Sequence, residues 1–333
     1  MTKGISTHKP MTPECLRRHL FDKGRVPFWN YDPHKLTIGV EVEYFIASGN
    51  EQDFKLATQN QYLQVRDFLI SQRGYQDRHL EDQPGRISKD TETGYIAIKP
   101  DFAWHILEIA LPPRRNTSEI GMLLVEVFLD IDAALASVGL KRLDLSCLPR
   151  VPEDMEILEL GRLKSYLHSP TNSKFDSAYR LFPALIAATH IHLNCSDENS
   201  LRWLPGLYKL DRNVKSLIVR PAEFEGKIFL NPREYFYSNA LGLNYGLAAV
   251  PETIPYSIET YVDQYNKTTR LFPEDKFFPA RDLSFIRPTK YGTLEFRSAC
   301  SFNSVEKILK IVNIRMEHLL ECFSKYDESN KGK

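Results

Sequence analysis

Two carboxylates lie two residues apart, Glu41 and Glu43, in the run T-I-G-V-E-V-E-Y-F-I-A over residues 37–47. The rest of the run is β-branched or aromatic, as in a strand, and alternate side chains of a strand share a face. Both carboxylates therefore point one way, and Val40, Val42 and Tyr44 point the other. Two carboxylates about 4 Å apart repel by ~4 kcal/mol in the effective dielectric near a protein surface. A semi-buried pair needs a cation, a proton or an arginine. The same alternation also describes the wet face of an ordinary amphipathic strand, so the choice depends on what lies downstream.

Three further stretches repeat the pattern. Residues 102–110 read as a strand with one carboxylate, Glu108, between Leu107 and Ile109, and they stop at Pro112-Pro113. Residues 189–194, T-H-I-H-L-N, put His190, His192 and Asn194 on one strand face and Ile191, Leu193 and Cys195 on the other. Two imidazoles and an amide can ligate a metal or contact a nucleotide, and they can equally be surface groups. In residues 283–302, Lys290-Tyr291-Gly292 reads as a turn. Thr293, Glu295 and Arg297 then share one face of a strand, with Arg287 just before it. The plain alternative is an exposed cross-strand ion pair, which is worth little.

The remaining elements have to position these groups. A short helix is predicted over 13–22, and a helix over 61–73 that Gly74 ends. Residues 86–90 and 95–99 flank Thr91-Glu92-Thr93-Gly94, a hairpin signal. An apolar helix over 119–138, capped by Thr117 or Ser118 and ended by Gly139, is suited to back a sheet. A strand is expected over 142–148, a short helix over 157–167, and helices over 200–219, 258–265 and 305–323. Residues 221–249 mix Arg220 and Arg233 with Phe224, Phe229, Tyr235, Phe236 and Tyr237, which fits either phosphate and base binding or a packed subdomain. The domain reading is a lead segment over 1–36, one catalytic domain over 37–323 and a polar tail over 324–333.

Composition narrows the partners. Lys+Arg and Asp+Glu both number 43 in the 333 residues, so the net charge is zero and global steering toward nucleic acid or an anionic membrane is not indicated. No apolar run approaches the roughly 20 residues of a membrane span, and the N-terminus lacks the apolar core of a signal peptide. The five cysteines (Cys15, Cys147, Cys195, Cys300 and Cys322) are scattered with no C-x-x-C. They fit reduced thiols in a cytoplasmic protein.

Acids, imidazoles and arginine converging from several strands onto one sheet face would make a divalent-cation and phosphate site. There is no P-loop. In their order, G-V-E-V-E-Y, the single acid before Pro-Pro, His-x-His and Y-G-T-L-E-F-R resemble the carboxylate–amine ligases with a glutamine-synthetase-like catalytic fold. The resemblance is greatest to the glutamate–cysteine ligase family, including its second-type bacterial branch.

That resemblance implies an α+β fold: a curved, mainly antiparallel sheet backed by helices, with the active site on the concave face. It implies ATP and Mg²⁺, with Mn²⁺ as a substitute, and an acid and an amine as small-molecule substrates. Glu41, Glu43, Glu108, His190 and Glu295 would be metal ligands. His192 would lie near the nucleotide, and Arg287 and Arg297 would face the γ-phosphate or the substrate carboxylate. ATP would phosphorylate a carboxylate and the amine would attack the acyl phosphate, with no Ser or Cys nucleophile. Without a cation the acids, Glu41 and Glu295 among them, are expected to repel one another and destabilise the fold.

Ser-Ala-Cys-Ser follows Arg297 where such ligases often place an acid, and residues 221–237 do not match the substrate-positioning loop. Substrate identity is therefore open. The alternatives are phosphoryl transfer from ATP to a guanidino group on the same fold, a non-catalytic binding protein that kept the fold, and a metal-dependent hydrolase using His190 and His192. The sequence is compatible with a homo-oligomer.

Overall fold

The structure is a computed structural model that describes residues 12–20, 36–78, 80, 83–158, 181–194, 198–240, 254, 256–271, 285–289 and 291–330. In chain order, α1 (Pro13–Leu20) precedes β1 (Ile38–Gly49), the strand that the Glu41/Glu43 run predicts. Next come β2 (Phe54–Leu56), α2 (Gln59–Arg73), β3 (Gln76–Asp77), β4 (Ile87–Thr91), β5 (Gly94–Asp101), β6 (Ala103–Ala110), α3 (Thr117–Ser137) and β7 (Lys141–Arg142). The second half runs β8 (Ala188–Leu193), α4 (Leu204–Asn213), α5 (Lys215–Ile218), β9 (Ala222–Phe224), β10 (Lys227–Phe229), α6 (Pro232–Ala240), α7 (Ile258–Leu271), β11 (Ile286–Pro288), β12 (Leu294–Cys300) and α8 (Val305–Asn330).

β1 lies inside a sheet of order β11-β12-β8-β1-β6-β5-β4-β3, and β2 and β7 pair with its far end. Every pairing is antiparallel. Val42, Ile109, Ile98 and Ile87 stand in one row across four strands, all buried. Helices α2, α3 and α8 cover the apolar face. Tyr44 meets Phe128 of α3 edge-on at 5.6 Å, and its hydroxyl donates to the Phe302 carbonyl at 2.8 Å. The fold is thus a large antiparallel sheet backed by helices.

The helix ends show which local signals dominate. Thr58 and Gln61 form a capping box at the start of α2, and Gly74 closes it at φ 75°. α3 is capped by Asn116, which accepts from the Glu119 N–H at 2.9 Å. Thr117 and Ser118 therefore lie in its first turn, since Asn is as good a cap as Ser or Thr. The strand expected over 142–148 is limited to β7, with one more bond from Leu143 N to Phe45 O at 2.8 Å. β8 already occupies that edge of β1 from Ile38 to Val42. The region expected to be helical over 200–219 is a 3₁₀ turn (Glu198–Trp203), α4 and α5, with Pro205 in the first turn of α4. α8 runs on to Asn330, past the expected end at Phe323. A Lys325–Glu321 pair one turn apart supports the extension. The helix expected over 157–167 lies, beyond Leu158, outside the described residues, as does Cys195. Among the described residues, no helix is long and apolar enough to cross a membrane.

Candidate functional site

Strand register brings the polar groups together. Glu43 stands opposite Glu108, which stands opposite Lys99. Glu41 stands opposite His190, and Gly39 opposite His192. His192 in turn faces Glu295, and Glu295 faces Arg287. These rows share the sheet face away from the helix-covered core, because they alternate with the Val42 row. Gly39 makes room for an imidazole, since a Cβ there would lie 3.3 Å from the Cβ of His192. After Phe296 the β12 register shifts, and Arg297 still reaches the site, its Nε 3.6 Å from Glu295 Oε1.

The acids form two adjoining triads. Potential ligand atoms of Glu41, His190 and Glu295 lie within 4.8 Å of one another, and so do those of Glu43, Asp101 and Glu108. His190 links the two: its Nδ1 is 3.4 Å from Glu41 Oε2 and 3.9 Å from Glu295 Oε1, and its Nε2 is 3.8 Å from Glu43 Oε1. All five acids and imidazoles read from the sequence as metal ligands stand in these triads, and Asp101 is a sixth that the sequence reading missed. It lies two residues after Lys99 on the same strand face. The signal was hidden because Pro100 between them looks like a strand end. Phe102, at φ 60°, then turns β5 sharply into β6, a strained conformation for a bulky residue.

The two triads differ electrostatically. Burial pushes the Glu43 carboxyl up to about 8, with Asp101 and Glu108 adding to the shift. It pushes Glu108 up to about 7, despite Lys99. In the first triad the cations win. Burial opposes ionisation of Glu295, but Arg287 and Arg297 hold it far below the usual carboxylate range, and Arg287 Nε donates to Glu295 Oε2 at 2.7 Å. Burial likewise opposes ionisation of Glu41, yet His192 and His190 hold it well below normal. Repulsion thus falls on Glu43 and Glu108, while Glu41 and Glu295, also expected to repel, are compensated. Burial lowers His190 to about 4, leaving a neutral imidazole with a lone pair at neutral pH, the form that binds metals.

His192 has its Nδ1 3.0 Å from Thr293 Oγ1, which is 2.8 Å from Thr289 Oγ1. Its Nε2 is buried with no hydrogen-bond partner, 3.6 Å from Glu41 Oε2. Asn194, read as a third group on that face, instead accepts from Thr37 N–H at 2.6 Å and ties the strand ends together. The described part of 221–249 is packed through its aromatics and also sends one arginine toward the acids. Phe224 packs on Phe236 at 4.9 Å and Phe229 on Tyr235 at 4.0 Å, whereas Arg233 of α6 turns to the site, its Nη2 3.3 Å from His190 Nε2. Arg220 pairs with Asp144 at 2.9 Å.

No family model matches the chain, and no curated protein matches it significantly. Among solved structures, it is similar to a bifunctional glutathione synthetase from Pasteurella multocida, with TM-score 0.52 and 13% identity, over 86% of this chain and 38% of that one. It also aligns with a structure of the prokaryotic ubiquitin-like protein Pup with its ligase PafA, at TM-score 0.32 and 10% identity, over 87% of this chain and 64% of that one. The chain therefore spans well under half of the first structure and just under two thirds of the second. The first likeness is one of fold. The second is too weak to add to it, and the chemistry rests on the geometry of the two triads and their arginines.

Proposed function

We propose that the chain is an ATP-dependent carboxylate–amine ligase on a glutamine-synthetase-like catalytic fold. The observation that carries this is the pair of acidic triads on one sheet face, flanked by the buried Arg287 and by Arg297. The residues fit the ligands. Carboxylate oxygens with one neutral imidazole suit Mg²⁺ or Mn²⁺, and the buried Nε2 of His192, 3.6 Å from Glu41 Oε2, stands beside the first triad.

Glu41, His190 and Glu295 would hold one cation, and Glu43, Asp101 and Glu108 a second. His192 would contact the nucleotide. Bound ATP with its divalent ions supplies the phosphoryl group. Arg297 and Arg287 would face the charge developing on that group or a substrate carboxylate, and a guanidinium meets either with paired donors. A carboxylate oxygen of the acid attacks the γ-phosphorus and ADP leaves. The amine nitrogen then attacks the acyl carbon, the C–O bond to phosphate breaks, phosphate leaves, and the surplus amine proton is lost. Alignment and charge neutralisation are what the side chains contribute. Glutamate plus cysteine is the finer reading, resting on the G-V-E-V-E-Y and Y-G-T-L-E-F-R resemblance. A cytoplasmic location with reduced cysteines belongs to the same proposal.

The test is to incubate the chain with ATP, Mg²⁺ and panels of ¹⁸O-labelled amino-acid carboxylates and amines. Phosphate released in step with amide and carrying ¹⁸O from the acid is the expected result. Phosphorylation of a guanidino acceptor without amide would replace the ligase reading with the phosphotransferase one, and no ATP consumption with any pair would remove both.

A further inference from the structure

The imidazole of His192 is held along both edges. Gly39, opposite it on β1, leaves the ring room, and its Nε2 lies 3.6 Å from Glu41 Oε2. Its Nδ1 lies 3.0 Å from Thr293 Oγ1, and that hydroxyl lies 2.8 Å from Thr289 Oγ1. The Thr289 hydroxyl oxygen in turn accepts from the Tyr291 N–H at 3.2 Å. A line of hydrogen bonds therefore runs from the backbone of the β11–β12 turn to the ring.

The turn is closed without these hydroxyls. Thr289 N–H donates to the Thr293 carbonyl at 2.9 Å, and Gly292 N–H donates to the Thr289 carbonyl at 3.1 Å. Gly292 takes φ 80°, a conformation open to glycine. β12 is likewise already paired with β8 through the backbone. The bond from Thr293 to His192 adds something else, the choice of ring orientation. Half a turn of the imidazole about its bond to Cβ would set Cδ2, a carbon, against Thr293 Oγ1 and would carry Nε2 away from its place beside Glu41. A hydroxyl both donates and accepts, so Thr293 holds Nδ1 whether or not that nitrogen carries a proton. A valine methyl does neither.

Resting on the reading of His192 as a nucleotide contact, we propose that Thr293, backed by Thr289, is the positioning residue that fixes which edge of His192 meets the nucleotide. Nδ1 is kept on the turn, and Nε2 is the atom presented to bound ATP. Both threonines act through the ring.

The experiment compares Thr293→Val, Thr293→Ser and Thr289→Val with the wild type, all as full chains. Calorimetry reads the affinity for ATP with Mg²⁺. Nitrogen-15 NMR of histidine-labelled protein reads the ring nitrogens of His192, whose signals are assigned by their loss in His192→Gln. Thr293→Val should weaken ATP by about tenfold, the scale of one lost hydrogen bond, and should shift the Nδ1 resonance. Thr293→Ser, which keeps the hydroxyl, should bind within about threefold of the wild type and restore that resonance. Thr289→Val, one bond further from the ring, should fall between them. Wild-type affinity in Thr293→Val overturns the proposal, as does an unshifted Nδ1 resonance. Equal weakening in Thr293→Val and Thr293→Ser also overturns it, because the threonine would then act by packing. Should Thr293→Val fail to fold, Thr289→Val decides, and wild-type affinity there is the contrary result. No ATP binding by the wild type removes the nucleotide reading and this role with it, whereas wild-type binding that ignores Thr293 removes only this inference.

Discussion

Two buried charged clusters lie on opposite faces of β12. Behind it, Arg315 of α8 pairs with Asp211 of α4, both fully buried. Ser298 donates to Asp211 Oδ2 at 2.6 Å and accepts from Arg315 Nη2 at 2.9 Å. In front lie Glu41, Glu43, Asp101, Glu108 and Glu295 with their arginines, lysine and histidines. Both clusters are fixed by strand and helix packing. They differ in balance. The rear cluster sets one guanidinium against one carboxylate and ties two helices to a strand. The front cluster gathers more acid than it compensates locally, so Glu43 and Glu108 resist ionisation. Burial of charge is therefore not by itself a mark of function. An uncompensated surplus on a face away from the helix-covered core is the better one.

The largest effect that would test this contrast is at the rear. Asp211→Ala leaves Arg315 buried and unpaired and should cost about 3–5 kcal/mol in urea unfolding. A loss no larger than that of a surface substitution would undo the structural reading. At the front the order reverses. Glu41→Ala or Glu295→Ala should lower Mg²⁺-dependent turnover by roughly a hundredfold or more while the chain stays folded by circular dichroism, and wild-type turnover would sink the ligand assignment. Glu43→Gln should go further in the same sense and raise metal-free stability above pH 7 by about 1–3 kcal/mol.

pH sharpens the comparison. Glu43 and Glu108 ionise near 4.5 ordinarily but near 8 and 7 in the fold. Between those values the folded chain binds more protons than the unfolded one, so this contribution is present at low pH and is lost as pH rises through about 7–8. His190 works oppositely. With its pKa lowered from 6.5 to about 4, it withdraws stability as pH falls below about 6.5. Metal-free protein should therefore lose melting temperature from pH 6.5 to 8, and Mn²⁺ should flatten that slope. An equal slope with and without Mn²⁺ would contradict the repulsion. The smallest expected effect is that of Gly39→Ala, which crowds His192. It should weaken the ATP-dependent rise in melting temperature less than tenfold in affinity, with metal-free stability almost unchanged.

Much of the front cluster was legible because period-two alternation and strand register are nearly the same information. Once β1, β6, β8 and β12 are read as strands, their acids and imidazoles fall on one face. Lys99 and Asp101 were lost to Pro100, which reads as a break, and Arg233 to an aromatic-rich segment with no clear period. The rear cluster was invisible for another reason. Asp211, Ser298 and Arg315 come from three elements distant in sequence, and each looks like an ordinary polar residue until tertiary packing encloses it. Cap choice at Asn116 and the run of α8 to Asn330 turned on local competition that propensity alone does not rank.

The front cluster is proposed to be a nucleotide site working through divalent cations. Thermal unfolding with Mg²⁺ alone, ATP alone and both, in the wild type and in Glu41→Ala, tests it most directly. A ligand at 100 times its dissociation constant stabilises by about 2.7 kcal/mol. A rise of that size is expected to need ATP and Mg²⁺ together and to disappear in Glu41→Ala. No rise under any condition, or an ATP response unchanged in the variant, would contradict it.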